Sequence, residues 1–288
     1  MAPSEQYKPG FVPDFQPQNA VPGKQHKLDP EPHDRELHDG SLYKPAGKLE
    51  GKKAFISGGD LGIGRSVAIL FALEGADVSI VHLPEEEKDA HDTVQKIKEC
   101  TGGKRKVQLL PIDLTKEENC KKAIEQHIQA FGALDSLILN HGTQNAVKSI
   151  VDLSSAQWHH VFDTNIHSFY LGSTIVFNAS INPFVGHPEL VDYTSSKGAV
   201  VAFARALSNQ LVGEKGVRVN VVCPGPIWTP LIPATMSESS QKSFGKNVPM
   251  QRPGQPIECA TCFVFFASPD SGYLSGQTLH PNGGSYMG

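Results

Sequence analysis

From Gly51 onward short apolar runs alternate with longer amphipathic ones, and this alternation restricts the fold more than any other feature of the chain. Residues 54–57, 78–81, 107–111 and 134–139 read as strands, and 174–178, 217–222 and 277–279 continue the series. Between them, 63–73 reads as a helix with Val67, Ile69, Leu70 and Leu73 apolar, and 85–100 and 117–131 read as more polar helices. Short apolar strands alternating with helices imply a parallel sheet covered on both faces. Right-handed crossovers make that sheet doubly wound, so the expected class is α/β, a Rossmann-like doubly wound parallel sheet in a single domain. Such sheets bind ligands at the carboxyl ends of their strands, near the topological switch.

The first strand–helix turn reads Ser57-Gly58-Gly59-Asp60-Leu61-Gly62-Ile63-Gly64-Arg65. Glycines there let the backbone approach a pyrophosphate closely, and the helix start supplies free N–H groups and partial positive charge. Ser57, Gly58, Gly62, Ile63 and Gly64 are therefore candidate cofactor-binding residues. The spacing is Gly-x-x-x-Gly-x-Gly.

Residues 1–48 differ from the rest. They hold eight of the chain's 21 prolines, and no helical or strand period survives that spacing. They form a Pro-rich extension to a dinucleotide-binding and catalytic domain at 49–288. The extension is either a flexible tail or an ordered arm anchored by Phe11, Phe15, Leu42 and Tyr43. The full chain has 288 residues, 39% hydrophobic, with a net charge of −4. A pI near 6.3 leaves no basic field to draw nucleic acid or an anionic membrane surface, so neither is an expected partner. No run of about 18 apolar residues and no secretory leader is evident, and five cysteines suggest reduced thiols, so a cytoplasmic protein is expected.

The glycine spacing resembles the short-chain dehydrogenase/reductase family, whose motif is Thr-Gly-x-x-x-Gly-x-Gly, with Ser57 in place of the threonine. Further matches follow in the family's order. Asp113 follows the third strand, where the family places an acid near adenine. Leu139-Asn140-His141-Gly142 stands at the Asn-Asn-Ala-Gly motif with two departures. Tyr193-Thr194-Ser195-Ser196-Lys197 fits Tyr-x-x-x-Lys, Ser180 lies 13 residues before the tyrosine, and Pro224-Gly225-Pro226-Ile227-Trp228-Thr229 fits the Pro-Gly motif. The resemblance covers roughly residues 50–288. With its Pro-rich leader, the chain looks most like the glucose/ribitol dehydrogenase subgroup. The resemblance implies cofactor contacts at Asp113, Asn140, Gly142, Pro224, Ile227 and Thr229 as well as at the glycine turn, Tyr193 and Lys197.

The Tyr193/Lys197 pair has a physical reading of its own. Four residues apart on a helix, the two side chains share a face. A free tyrosine has a pKa near ~10, and a nearby ammonium favours phenolate and lowers it. Ser180, at the end of the preceding strand, can hold a carbonyl oxygen beside the phenol. The resemblance assigns proton exchange to Tyr193, substrate orientation to Ser180, and ribose binding and tuning of Tyr193 to Lys197. It makes Asn165 the fourth member, holding a water that links the lysine to solvent. A structural amide capping nearby backbone is the alternative for Asn165.

Only 15 residues separate Asn165 from Ser180, fewer than the family usually has. Both should lie at the same edge of the sheet. The strand 174–180 rises roughly 20 Å. Residues 165–173 descend about 12 Å as a helix and about 27 Å when extended. Either the segment unwinds near Tyr170–Ser173, or the sheet edge is distorted, or Asn165 is displaced. This helix commonly builds the family's dimer interface, so the resemblance implies a homo-oligomer, a tetramer or dimer. A catalytically impaired dinucleotide-binding protein is the alternative to an active enzyme.

At the second strand's end an acid would bind the adenosine ribose and repel a 2′-phosphate. His82 stands there, and Arg65 lies near the turn, so NADP(H) is favoured over NAD(H). Residues 230–236 should form a flap over the substrate, with Phe184, His187 and Trp228 as further pocket walls. No paired basic residues demand a charged substrate, so the expected partner is a neutral carbonyl or alcohol. Cys259-x-x-Cys262 opens an apolar helical run and reads as core rather than as a metal site, and none is expected. Lys104-Arg105-Lys106 reads as a solvated turn.

Overall fold

A computed structural model of the chain describes residues 4–18, 21, 23–165 and 174–288. Seven strands form one sheet: β1 (Lys53–Ser57), β2 (Asp77–His82), β3 (Val107–Pro111), β4 (Ser136–Leu139), β5 (Thr174–Asn178), β6 (Arg218–Val222) and β7 (Thr278–Leu279). The order is β3-β2-β1-β4-β5-β6-β7, and every neighbouring pair is parallel. The chain winds outward from β1 to β3, then crosses back to lay β4 on the other side of β1. The topological switch therefore lies between the carboxyl ends of β1 and β4, as a doubly wound sheet requires.

Alternate strand residues face opposite layers. Ala54, Ile56, Val78, Ile80, Ile138, Val176 and Val222 pack beneath α1 (Gly62–Leu73) and the later helix Pro256–Ala267. Phe55, Val81, Leu137, Leu139, Ile175, Phe177, Val219 and Val221 pack on the opposite layer with residues of Glu117–Phe131 and Val191–Lys215. In chain order the remaining helices are α2 (Glu87–Thr101), α3 (Glu117–Phe131), α4 (Ser155–Asn165), α5 (Asn182–Val185), α6 (Val191–Lys215), α7 (Leu231–Thr235), α8 (Glu238–Lys242) and α9 (Pro256–Ala267). The polar helix expected from residue 85 begins two residues later. Pro84–Glu86 instead forms a single 3-10 turn, closed where the Leu83 N–H donates to the Glu86 carboxylate at 3.2 Å. Cys259 is fully buried and Cys262 half-buried on α9, within or against the core.

The described part of the extension runs along the body. Tyr7 is buried in the α1/α9 core, Tyr43 hydrogen-bonds the Glu74 carboxylate, and the Trp228 indole donates to the Pro30 carbonyl at 2.9 Å. Phe15 and Leu42, expected anchors, stay 38% and 49% exposed. The hold is mainly polar: Asp34 accepts from Arg65 Nε at 2.9 Å, and its carbonyl accepts from Ser66 Oγ at 2.6 Å.

Two expectations need correction here. Arg65 does not approach a phosphate: it is 2% exposed, with its guanidinium spent on Asp34 and on Thr93 Oγ1 at 2.8 Å. Trp228 is buried against the extension, packing with Leu28, Ile232 and Phe244, and is no pocket wall. The turn at 104–106 is solvated at Lys104 and Lys106 as expected, and half-buried Arg105 adds an ion pair with both carboxylate oxygens of exposed Glu50 at 2.8 and 3.1 Å. In each case the missing information was a partner distant in sequence.

Candidate active site

The switch point is braced by polar side chains. Asn140, just after β4, donates through Nδ2 to the Gly58 carbonyl at 2.8 Å, and its N–H donates to Ser57 Oγ at 3.0 Å. Asn178 Nδ2 donates to Asn140 Oδ1 at 2.9 Å, which extends the brace to β5. Ser57 is fully buried and also meets His141 Nδ1 at 2.6 Å. Burial and the Lys197 charge hold His141 down to about 4, so its imidazole is neutral. Ser57 and Asn140 thus spend their polar atoms fixing the turn rather than facing a ligand directly.

The turn keeps side-chain-free space at the start of α1 for a bound group. Gly62 has φ +55°, which a side chain would strain, and α1 starts there with Leu61 offering no capping side chain. A Cβ on Gly64 would lie 1.9 Å from the Gly58 carbonyl oxygen, so any side chain would close the cradle. Ile63 follows between them, and Thr229 stands beside Gly62, 3.2 Å from where its Cβ would be. Asp113 lies after β3 and ties its own turn, accepting from Thr115 N–H at 3.0 Å and Oγ1 at 2.8 Å. His82 ends β2, 3% exposed, with Nδ1 on the Leu83 carbonyl at 2.8 Å; burial lowers its pKa.

At the same sheet edge, Tyr193 and Lys197 stand one turn apart on α6. Lys197 Nζ lies 5.7 Å from the Tyr193 ring centroid and donates to the Asn178 carbonyl at 2.9 Å. Ser180, just past β5, faces the cavity with the phenol, and its Oγ accepts from the Asn182 N–H at 3.2 Å. Burial pushes Tyr193 up to about 12, the Ser180 hydroxyl nearby pulling it part of the way back. Burial brings Lys197 down to about 8. The acidified phenol expected from the lysine is thus not what the chain alone produces. The ammonium is aimed at a backbone carbonyl, and burial outweighs it.

Asn165 holds its position despite the short link that follows. Its Oδ1 accepts from the Thr143 N–H at 2.8 Å, and its Nδ2 donates to the Thr143 carbonyl at 3.1 Å and to Ser196 Oγ at 3.0 Å. A Cβ on Gly142 would lie 3.0 Å from Asn165 Oδ1 and 3.1 Å from Lys197 Nζ, so both groups converge where only glycine leaves them room. β5 keeps unbroken register with β4 and β6. Neither a displaced Asn165 nor a distorted sheet edge occurs. The expected unwinding near Tyr170–Ser173 lies outside the described residues.

A cavity of about 560 Å³ opens beside Tyr193 and Ser180, with Ile181, His187, Pro224 and Ile227 in its wall. Leu231, Ile232 and Met236 line it from the expected flap, which contains α7. Phe184 packs instead against His280 and Tyr286. Gln144 was missed by sequence reasoning. It is 6% exposed, lines the cavity, and donates to Thr235 Oγ1 on α7 at 2.9 Å. Its place two residues after Gly142 was the available signal. Cys223, buried after β6, was also missed; burial raises its thiol to about 12.

A glycine turn at the switch of a parallel sheet, with Tyr, Lys, Ser and Asn converging beside a cavity, defines a dinucleotide-dependent oxidoreductase. The comparisons agree. The family model described as "Enoyl-(Acyl carrier protein) reductase" matches residues 59–286. The chain is 45% identical to the glucose and ribitol dehydrogenase of Daucus carota, over 94% of this chain and 96% of that protein. It is also 45% identical to NADPH-dependent aldehyde reductase 1, chloroplastic, of Arabidopsis thaliana, over 94% and 98%. Among solved structures, a short chain dehydrogenase from Burkholderia cenocepacia in complex with NADP superposes with a TM-score of 0.75 at 26% identity, covering 82% of this chain and 98% of that one. A 3-ketoacyl-(acyl-carrier-protein) reductase from Brucella melitensis complexed with NADH gives 0.74 at 25%, covering 83% and 100%. The chain belongs to the short-chain dehydrogenase/reductase family of NAD(P)-dependent oxidoreductases acting on carbonyl or alcohol groups.

Proposed function

We propose that the protein interconverts a small neutral carbonyl compound and its alcohol, with Tyr193 as the proton-exchanging residue. The observation that carries this reading is the convergence of Tyr193, Ser180, Lys197 and Asn165 on one sheet edge beside one cavity. When bound, the nicotinamide dinucleotide supplies or accepts the hydride. Ser180 holds the substrate oxygen and Tyr193 gives it a proton in the reducing direction, taking one back in the reverse. Lys197 is poised for proton traffic, since a pKa brought down to about 8 lies near working pH. Asn165 orients the polar path behind Lys197 through Thr143 and Ser196.

The side-chain-free surface of Gly58, Gly62 and Gly64 beside Ile63 would admit the diphosphate, the Gly58 and Gly62 N–H groups being bonded to the Val81 carbonyl and to Gln25 Oε1, with Ser57, Asn140 and Gly142 holding that surface in shape. His82 and Asp113 would face the adenosine end, and Pro224, Ile227 and Thr229 the nicotinamide end. Preference for NADP(H) over NAD(H) rests on His82, which leaves the end of β2 without a carboxylate, and on the NADPH-dependent relative. Arg65 no longer supports it. Comparing KM for NADPH and NADH tests the preference. A neutral substrate is supported by the cavity wall, which has no Lys or Arg among the described residues. A cytoplasmic homo-oligomer remains part of the proposal. All five cysteines are free thiols, and among the described residues no helix is long and apolar enough to cross a membrane. Sedimentation checks the assembly.

The rival reading, a dinucleotide binder without turnover, was motivated by the short link after Asn165, and the intact Asn165 contacts weigh against it. The test is cofactor turnover over a panel of aldehydes and ketones with wild type and Tyr193→Phe. Turnover by wild type alone supports the proposal; equal turnover by both refutes the proton-transfer role.

A further inference from the structure

The first turn of α1 carries a contact that the Gly-x-x-x-Gly-x-Gly motif does not provide. The N–H groups at a helix start have no partner within the helix. Here the Gly62 N–H donates to Gln25 Oε1 at 2.9 Å, from a residue 37 positions earlier in the Pro-rich extension. Gln25 is 2% exposed, and its backbone is held from the other side. Its N–H donates to Asp89 Oδ2 at 3.2 Å, and the N–H of His26 donates to Asp89 Oδ1 at 3.1 Å. Lys24 Nζ adds a contact to the Glu85 carbonyl at 2.8 Å. The carboxamide is thus fixed at the lip of the cradle, with its oxygen used. Its Nε2 is buried and has no hydrogen-bond partner among the described residues. A buried amide donor left unpaired costs about 1–3 kcal/mol, and an acceptor within the cradle removes that cost.

We propose that Gln25 is a cofactor-binding residue supplied by the extension: Oε1 closes the first turn of α1, and Nε2 donates to an oxygen of the adenosine half of the bound dinucleotide. This rests on the dinucleotide reading above. It gives the extension a direct part in the site, so that residues 23–34 serve the cradle as well as the fold.

The test is isothermal titration of the full chain with NADPH and with NADH. Gln25→Met keeps the length of the side chain without either polar atom and adds no charge, and Gln25→Ala removes its bulk as well. Both variants are expected to weaken dinucleotide binding on the order of tenfold, with Gln25→Met the less destabilised of the two. If Gln25→Ala fails to fold, Gln25→Met decides the matter alone. Gln25→Met binding within twofold of wild type overturns the proposal, whether or not Gln25→Ala binds. A wild-type chain that binds neither dinucleotide overturns the oxidoreductase reading and this inference together.

Discussion

The two ends of the cleft are built in opposite ways. At the proposed catalytic end, Tyr193, Lys197, Ser180 and Asn165 come from helices and a strand end, and Lys197, Ser180 and Asn165 are held by hydrogen bonds to neighbours at the sheet edge. At the proposed adenosine end, the glycine turn is held by an irregular segment that arrives from far away, through Gln25 on Gly62 and Asp34 on Arg65. The catalytic end carries its cost internally, as a lysine and a phenol buried at the expense of their charged forms. The adenosine end satisfies its buried guanidinium with an external carboxylate. The contrast is that chemistry sits on regular elements, whereas shape at the cradle depends on chain that has no regular structure.

This contrast can be broken by substitution. Tyr193→Phe should lower turnover by roughly 10²–10⁴-fold while leaving the melting temperature near that of wild type, as steady-state kinetics and calorimetry will show. Asp34→Ala should do the reverse. It strands the buried Arg65 charge and should cost about 3–5 kcal/mol, a drop of roughly 10 °C, with turnover per folded molecule retained. Lys197→Met separates the two kinds of cost by pH. Between about 8 and the ordinary 10.5, the unfolded chain keeps a Lys197 proton that the folded chain has released. Wild-type stability relative to the variant should therefore rise with pH across that window, by a few °C on the order given by ~1 kcal/mol. The opposite slope contradicts a buried, depressed lysine. The smallest effect on the cleft belongs to Trp228→Phe, which loses the indole bond to the Pro30 carbonyl and part of the buried packing on Leu28, Ile232 and Phe244. A loss of about 2 kcal/mol, or roughly 4–8 °C, is expected, with KM for the dinucleotide little changed.

What was legible in the sequence follows the same division. Strand periods and turn residues marked the seven strands to within two residues, because each buries a local apolar run. Tyr193 and Lys197 were legible because their spacing puts them on one helical face, and Ser180 because it ends a strand. The fate of Arg65 was not legible. Its partner Asp34 lies in a Pro-rich segment with no period, and nothing local distinguishes a guanidinium that meets phosphate from one that meets carboxylate. Trp228 misled for the same reason, since Pro30 takes its indole. The phenol's pKa could not be read from spacing, because it is set by the depth of burial and by the direction of Lys197 Nζ toward the Asn178 carbonyl.

The most direct measurement follows deuterium from a nicotinamide dinucleotide labelled at the transferring carbon into an aldehyde or ketone substrate. The account predicts that the label appears on the carbinol carbon of the product with wild type, and that Tyr193→Phe slows its appearance at least a hundredfold at saturating dinucleotide. Label lost to solvent, or equal transfer by the two proteins, contradicts it.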